Sequence, residues 1–128
     1  MIHRSALLFA IIAWTLTLSA SGQKKPRPVE VWTGGDDGYT LRIRDAVEDA
    51  FRRSTEFKLS SGRRRGTLLV TIPENLKWKR RGDRTLLMYD VEFSTVGRKS
   101  VNRNSGSCWE DDLGACARAI MQGAARIP

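Results

Sequence analysis

The sequence predicts an α+β domain of two layers, two helices on one face of an antiparallel sheet, in the order β-α-β-β-β-β-α. Three observations predict it. Ile43, Ala46, Val47, Ala50 and Phe51 form one apolar stripe at helical spacing. Leu113, Cys116, Ala117, Ile120, Met121 and Ala124 form a second near the other end. Between them, apolar residues alternate along two segments whose phases agree across a Gly82-Asp83 turn. Two amphipathic helices and one set of alternating strands bury their apolar sides most simply by stacking as helix layer on sheet.

Residues 1–22 precede this domain and read as a secretory signal peptide. His3 and Arg4 give a basic start, Ala6 to Leu18 is an apolar run of thirteen residues, and Ser19, Ala20, Ser21 and Gly22 are small enough for a peptidase site. Thirteen helical residues span about 20 Å, short of a bilayer crossing, so an uncleaved anchor is the weaker reading. Cleavage near residues 20–22 would put the mature chain in the periplasm or outside the cell, with no transmembrane segment left in it. Residues 23–28 are basic and broken by Pro26 and Pro28, and are expected to form a flexible lead to a single domain at 29–128.

Val29 to Trp32 alternates as a short first strand. Residues 33–38 make a turn with a helix start built in, because Asp36 or Asp37 can accept the free amide protons of a helix beginning near Thr40. That helix runs to about Arg53, with Arg44–Glu48, Glu48–Arg52 and Asp49–Arg53 as opposite charges one turn apart on its solvent face. Phe57 to Ser60 is the second strand. Thr67 to Ile72 is the third, interrupted or bulged at Pro73 and resuming in phase at Leu76 and Trp78.

A two-residue turn at Gly82-Asp83, with glycine supplying a positive φ, sets Trp78 opposite Leu87, Leu76 opposite Tyr89 and Ile72 opposite Phe93. Leu87, Tyr89, Val91 and Phe93 are then the inward positions of the fourth strand. Arg98 to Ser105 is a polar fifth strand suited to a sheet edge. The last helix covers about Asp111 to Ala125.

About 106 residues remain after cleavage, carrying 21 basic and 14 acidic side chains, a net charge of +7. One domain fits that length, and the charge favours anionic partners or simply solubility. The only histidine, His3, lies within the signal segment, so the mature chain contains no Ser-His-Asp triad, Cys-His pair or histidine metal site. Cys108 and Cys116 are the only cysteines, and in an oxidising compartment an even pair points to a disulfide. A helix capped by Ser107 and Glu110 would hold them roughly 12 Å apart and prevent the bridge. A helix starting at Glu110 or Asp111 would allow it.

The segment 46–54, the Phe57–Leu59 strand and the long hairpin that follows resemble the small periplasmic domains at the amino terminus of TolB and in the CsgG and LpoB groups. In those, a helix after a first strand precedes a meander and a closing helix. The resemblance is one of pattern without a diagnostic motif. It implies a protein-interaction module of the cell envelope and transfers no functional residue.

Candidate chemistry is sparse. Residues 34–38 resemble the GGDEF signature of cyclic-dinucleotide synthases only superficially and are read as turn plus cap. Glu110, Asp111 and Asp112 with Asp36 and Asp37 lack calcium-loop spacing and have a sufficient explanation at helix starts. Glu74 and Glu92 can be nominated as paired carboxylates, with nothing to distinguish them from chance. No cofactor is expected. The basic clusters are the surface feature with content. Arg63, Arg64 and Arg65 are expected near Arg98 and Lys99 at one end of the sheet. Lys77, Lys79, Arg80, Arg81 and Arg84 are expected at the other, with Arg103 a candidate to join them. Trp78, among these cations, suits stacking on a sugar, base or headgroup, while its phase equally suits a core position.

These readings lead to an exported, non-catalytic interaction module whose basic loops meet an acidic or anionic envelope partner. The alternatives are a non-specific polyanion or nucleic-acid binder outside the cytoplasm and a small carboxylate- or metal-dependent enzyme. No sequence-specific nucleic-acid motif is present.

Overall fold

The computed structural model describes residues 25–128; the expected signal segment lies outside them. The elements are β1 (Arg27–Thr33), α1 (Gly38–Arg53), β2 (Phe57–Leu59), β3 (Leu68–Ile72), β4 (Lys77–Arg81), β5 (Arg84–Thr95), β6 (Val101–Trp109) and α2 (Leu113–Ala125). Both helices pack against each other and on one face of a single six-stranded sheet, the two-layer arrangement expected.

The sheet runs β2-β1-β3-β5, and β5 carries β4 and β3 end to end along one side and β6 along the other. It is antiparallel from β3 through β6 and parallel where β1 meets β2 and β3, so it is mixed where an antiparallel sheet was expected. α1 joins β1 to β2 as a crossover that returns the chain in the same direction, and residues 60–67 then carry it past β1 so that β3 runs in that direction on the other side.

The strand expected to continue through Pro73 is two strands. Pairing changes register across the break: Val70 stands opposite Phe93, not Ile72 as expected, while Trp78 stands opposite Leu87 as expected. Residues 73–76 therefore hold two extra residues. Proline has no amide proton for the ladder, and an insertion of two preserves the inward phase.

The inward phase is what makes the core. Val29, Leu68, Val70, Ile72, Leu87, Tyr89, Val91 and Phe93 from the sheet meet Ile43, Val47 and Phe51 of α1 and Ile120 and Ala124 of α2. Asp37 is the N-cap of α1, its carboxylate accepting from Thr40 N at 2.8 Å. The Thr40 side chain first, and then its amide, hold the Asp37 carboxyl below the usual range. Buried Thr40 accepts from Leu76 N at 3.0 Å, and Asn75 Oδ1 accepts from Asp37 N at 3.1 Å. The bulge is thus fastened to the start of α1.

β1 begins at Arg27, two residues ahead of the expected start, with Arg27 N donating to Glu56 O at 2.9 Å. β6 begins later than expected and runs to Trp109. Because α2 starts only at Leu113, Cys108 and Cys116 lie on different elements with Cα atoms 5.6 Å apart, and they are joined by a disulfide. No helix among the described residues is long and apolar enough to cross a membrane.

Candidate binding surface

Two-residue turn chemistry builds the hairpin of β4 and β5. Gly82 takes φ 63° as expected, and Arg81 pairs with Arg84 across it. Every residue of β4 is exposed. Alternation divides its side chains between two faces. Trp78 and Arg80 share the helix-side face with Leu87 and Thr85; Lys77, Lys79 and Arg81 share the open face with Met88, Leu86 and Arg84.

Trp78 is 55% exposed although Leu87 opposite it is fully buried. Its inward phase is real, but it sits at the rim of the helix-covered face, where Tyr39 in the first turn of α1 is its aromatic neighbour at 6.2 Å between ring centroids. Trp78 is therefore a rim residue with one broad surface in solvent. Arg80 lies beside it, its Nη1 donating to Thr85 Oγ1 at 3.2 Å.

Arg84 behaves differently from its neighbours. Its guanidinium stacks over Trp109 at 4.0 Å and pairs with Asp111 at 3.1 Å, which ties the hairpin to the β6–α2 junction. Among the described residues, Lys77, Lys79, Arg80 and Arg81 have no carboxylate within ion-pair distance, whereas Arg42, Arg44, Arg52, Arg53, Arg84 and Arg103 each have one. Arg103 does not join the hairpin. The β5–β6 register sets it opposite Glu92, to which it bonds at 3.1 Å on the open face.

The second basic cluster lies at the opposite end of the sheet. Arg65 packs across Gly97, and a cleft of about 500 Å³ is lined by Arg27, Arg65, Arg98 and Pro128 among others. Arg63, the one non-glycine residue with positive φ among the described residues, leaves that group and covers Trp32 at 4.3 Å. Arg64 is exposed in the same loop. Arg27 falls in the lead expected to be flexible, yet it is tied down at both its main chain and its side chain. Its guanidinium donates to Ile127 O at 2.6 Å, Thr95 Oγ1 at 3.0 Å and Pro128 O at 3.1 Å. Burial, and then the neighbouring Arg98, lower its pKa from the usual arginine value.

Four of the acidic candidates are engaged elsewhere: Asp37 caps α1, Glu110 pairs with Arg42, Asp111 pairs with Arg84 and Glu92 pairs with Arg103. Asp112 precedes α2 but makes no side-chain cap hydrogen bond, against the helix-start role expected of it. Among the described residues no three metal-ligating side chains cluster. Sequence reasoning missed the aromatic partners Tyr39, Trp32 and Trp109, whose roles depend on which strands become neighbours. For Trp109 the only signal was its position just beyond a strand already expected to be at an edge.

The sequence matches no protein-family model and no curated protein. Solved structures do match. A minor lipoprotein from Acinetobacter baumannii is 12% identical with a TM-score of 0.47, covering 77% of this chain and 93% of its own. PelC from Paraburkholderia phytofirmans, solved as a dodecamer, is similar in two crystal forms. One, a leucine-to-methionine variant, is 10% identical with TM-score 0.48 over 78% of this chain and 84% of its own. The other is 11% identical with TM-score 0.45 over 78% and 86%. These three are not of the TolB, CsgG or LpoB kinds, and at such scores they carry no argument about function.

Proposed function

We propose that this chain is an exported, non-catalytic interaction module whose β4–β5 hairpin docks on an anionic partner of the cell envelope. The observation that supports it is the concentration of uncompensated charge on one projecting element. Lys77, Lys79, Arg80 and Arg81 are consecutive or alternate, exposed on both faces of the hairpin, and lack carboxylate partners among the described residues. Beside them Trp78 offers a broad apolar surface, the combination that suits a partner presenting carboxylate or phosphate next to something to stack on. Export is supported by the disulfide, which persists in oxidising compartments, and by the amino-terminal segment read above.

The test is capture from an envelope extract on the immobilised, processed protein, washed first at low and then at high salt. Beside it stands a variant carrying Arg80→Glu and Arg81→Glu. One protein retained through high salt by the wild type and absent from the variant is the expected result. Equal capture by the variant would remove the hairpin from the function. The second basic end, with Arg27, Arg65 and Arg98 around one cleft, favours the alternative of a non-specific polyanion binder. In that case glycan, lipid or DNA elutes at high salt and retention falls steeply with ionic strength.

A further inference from the structure

β6 is a nine-residue strand at the border of the sheet, paired along its length with β5 and with no other strand among the described residues. One hydrogen bond beyond its end fixes how its main chain faces. Glu110 N donates to Thr85 O at 2.9 Å, continuing the β5–β6 register. Antiparallel ladders alternate bonded and non-bonded pairs. Asn102, Asn104, Gly106 and Cys108 therefore turn their amide and carbonyl groups toward β5. Val101, Arg103, Ser105, Ser107 and Trp109 turn theirs outward, the Trp109 carbonyl already accepting from Asp112 N at 2.9 Å at the end of the strand.

Borders of this length are ordinarily blocked by proline, lysine, a bulge or a covering segment. β6 contains no proline or lysine, its register with β5 is unbroken, and its one charged side chain, Arg103, is neutralised by Glu92. The border at β4 is different, since its run of cations repels an identical strand.

We propose that β6 pairs with β6 of a second copy of this chain, antiparallel about a two-fold axis at Ser105, making one continuous sheet. In this register all nine residues overlap, and all five outward-turned residues meet outward-turned residues. The side chains agree with it. Val101 of one copy lies opposite Trp109 of the other on the open face, covering a valine that is 51% exposed in the single chain. Arg103 lies opposite Ser107, so no like charges meet, and Ser105 meets itself. The interface is isologous, with the two β4–β5 hairpins left free at the outer borders.

Sedimentation equilibrium of the processed, oxidised protein tests this, with variants that read the register. Ser107→Glu places a carboxylate opposite Arg103 twice by symmetry, and Ser107→Lys places a second cation there. The expected result is a dimer in the wild type, with a dissociation constant about tenfold or more lower for Ser107→Glu than for Ser107→Lys. Ser105→Pro removes an outward amide and no main-chain bond to β5, but it also removes the hydrogen bond that the Ser105 hydroxyl donates to Asp90; it should give a monomer, while Ser105→Ala, which loses only that side-chain bond, should remain a dimer. If the proline variant fails to fold, the two Ser107 variants decide alone. A monomer at all concentrations to about 100 µM, or a dimer indifferent to the charge at position 107, overturns the proposal.

Discussion

Gly34 lies directly against Pro73: a Cβ built on Gly34 would meet the Pro73 carbonyl oxygen at 2.0 Å, and Gly34 N donates to Ile72 O at 2.7 Å. The β1–α1 turn and the β3–β4 break are therefore in contact through main chain alone, with no room for a side chain. Gly34→Ala should cost about 2 kcal/mol or more, because the opposing atom is backbone and cannot swing aside. Gly38→Ala is the control. A Cβ at Gly38 meets nothing within 4 Å, and alanine at a helix start should be neutral or stabilise by about 0.5 kcal/mol. Urea unfolding of the two variants checks both.

The same contact shows where sequence reasoning stopped. The inward set Leu87, Tyr89, Val91 and Phe93 was legible because alternation alone specifies a face, and the structure buries all four. The partner of Phe93 was not legible, since extending one register through Pro73 assumes a strand without insertion. The two residues inserted at 73–76 are held by Asn75 and Leu76 bonding to the start of α1, contacts between segments more than thirty residues apart. Parallel pairing of β1 with both β2 and β3 was missed for a related reason: strand order depends on tertiary packing, which local periodicity does not encode. On the surface, the basic composition of the hairpin could be read directly. The distinction between Arg84, stacked and paired, and Arg81, neither, needed the neighbours Trp109 and Asp111.

Cys108 near the end of β6 is tied to Cys116 in α2 across the 110–112 turn. Closing so short a loop restricts the unfolded chain, and on the chain-entropy model reduction should cost about 2.5 kcal/mol. Replacing both cysteines with serine should lower the melting temperature and abolish its dependence on reductant. A reductant-sensitive melting temperature in that variant would contradict the assignment.

Asp37 should give the stability a pH dependence of definite sign. Its folded pKa is depressed below the ordinary aspartate value of about 3.9, so its charge contributes above that value and the contribution is lost as pH falls through the folded pKa. At neutral pH Asp37→Ala should cost about 1 kcal/mol, the usual worth of an N-cap. Asp37→Asn keeps the acceptor oxygen and loses only the charge. Its stability should lie below that of the wild type at pH 7 and converge with it in acid, as measured by urea unfolding across about pH 2 to 7. A constant difference across that range would assign the loss to geometry instead.

Trp78 and Leu87 stand opposite each other on one face of the hairpin, one largely in solvent and one fully buried, so truncating each should separate recognition from folding. Leu87 sits beneath the helix layer, and Leu87→Ala should cost about 2–5 kcal/mol by opening a cavity there. Trp78 has Tyr39 as its aromatic neighbour and solvent over much of its surface, so Trp78→Ala should cost no more than about 1 kcal/mol. Its effect should fall on binding, because a stacking surface bordered by Arg80 is removed while the cations remain. Partner capture weakened at nearly wild-type stability is the expected outcome for Trp78→Ala. Unchanged capture would leave the cations as the whole of the hairpin's contribution.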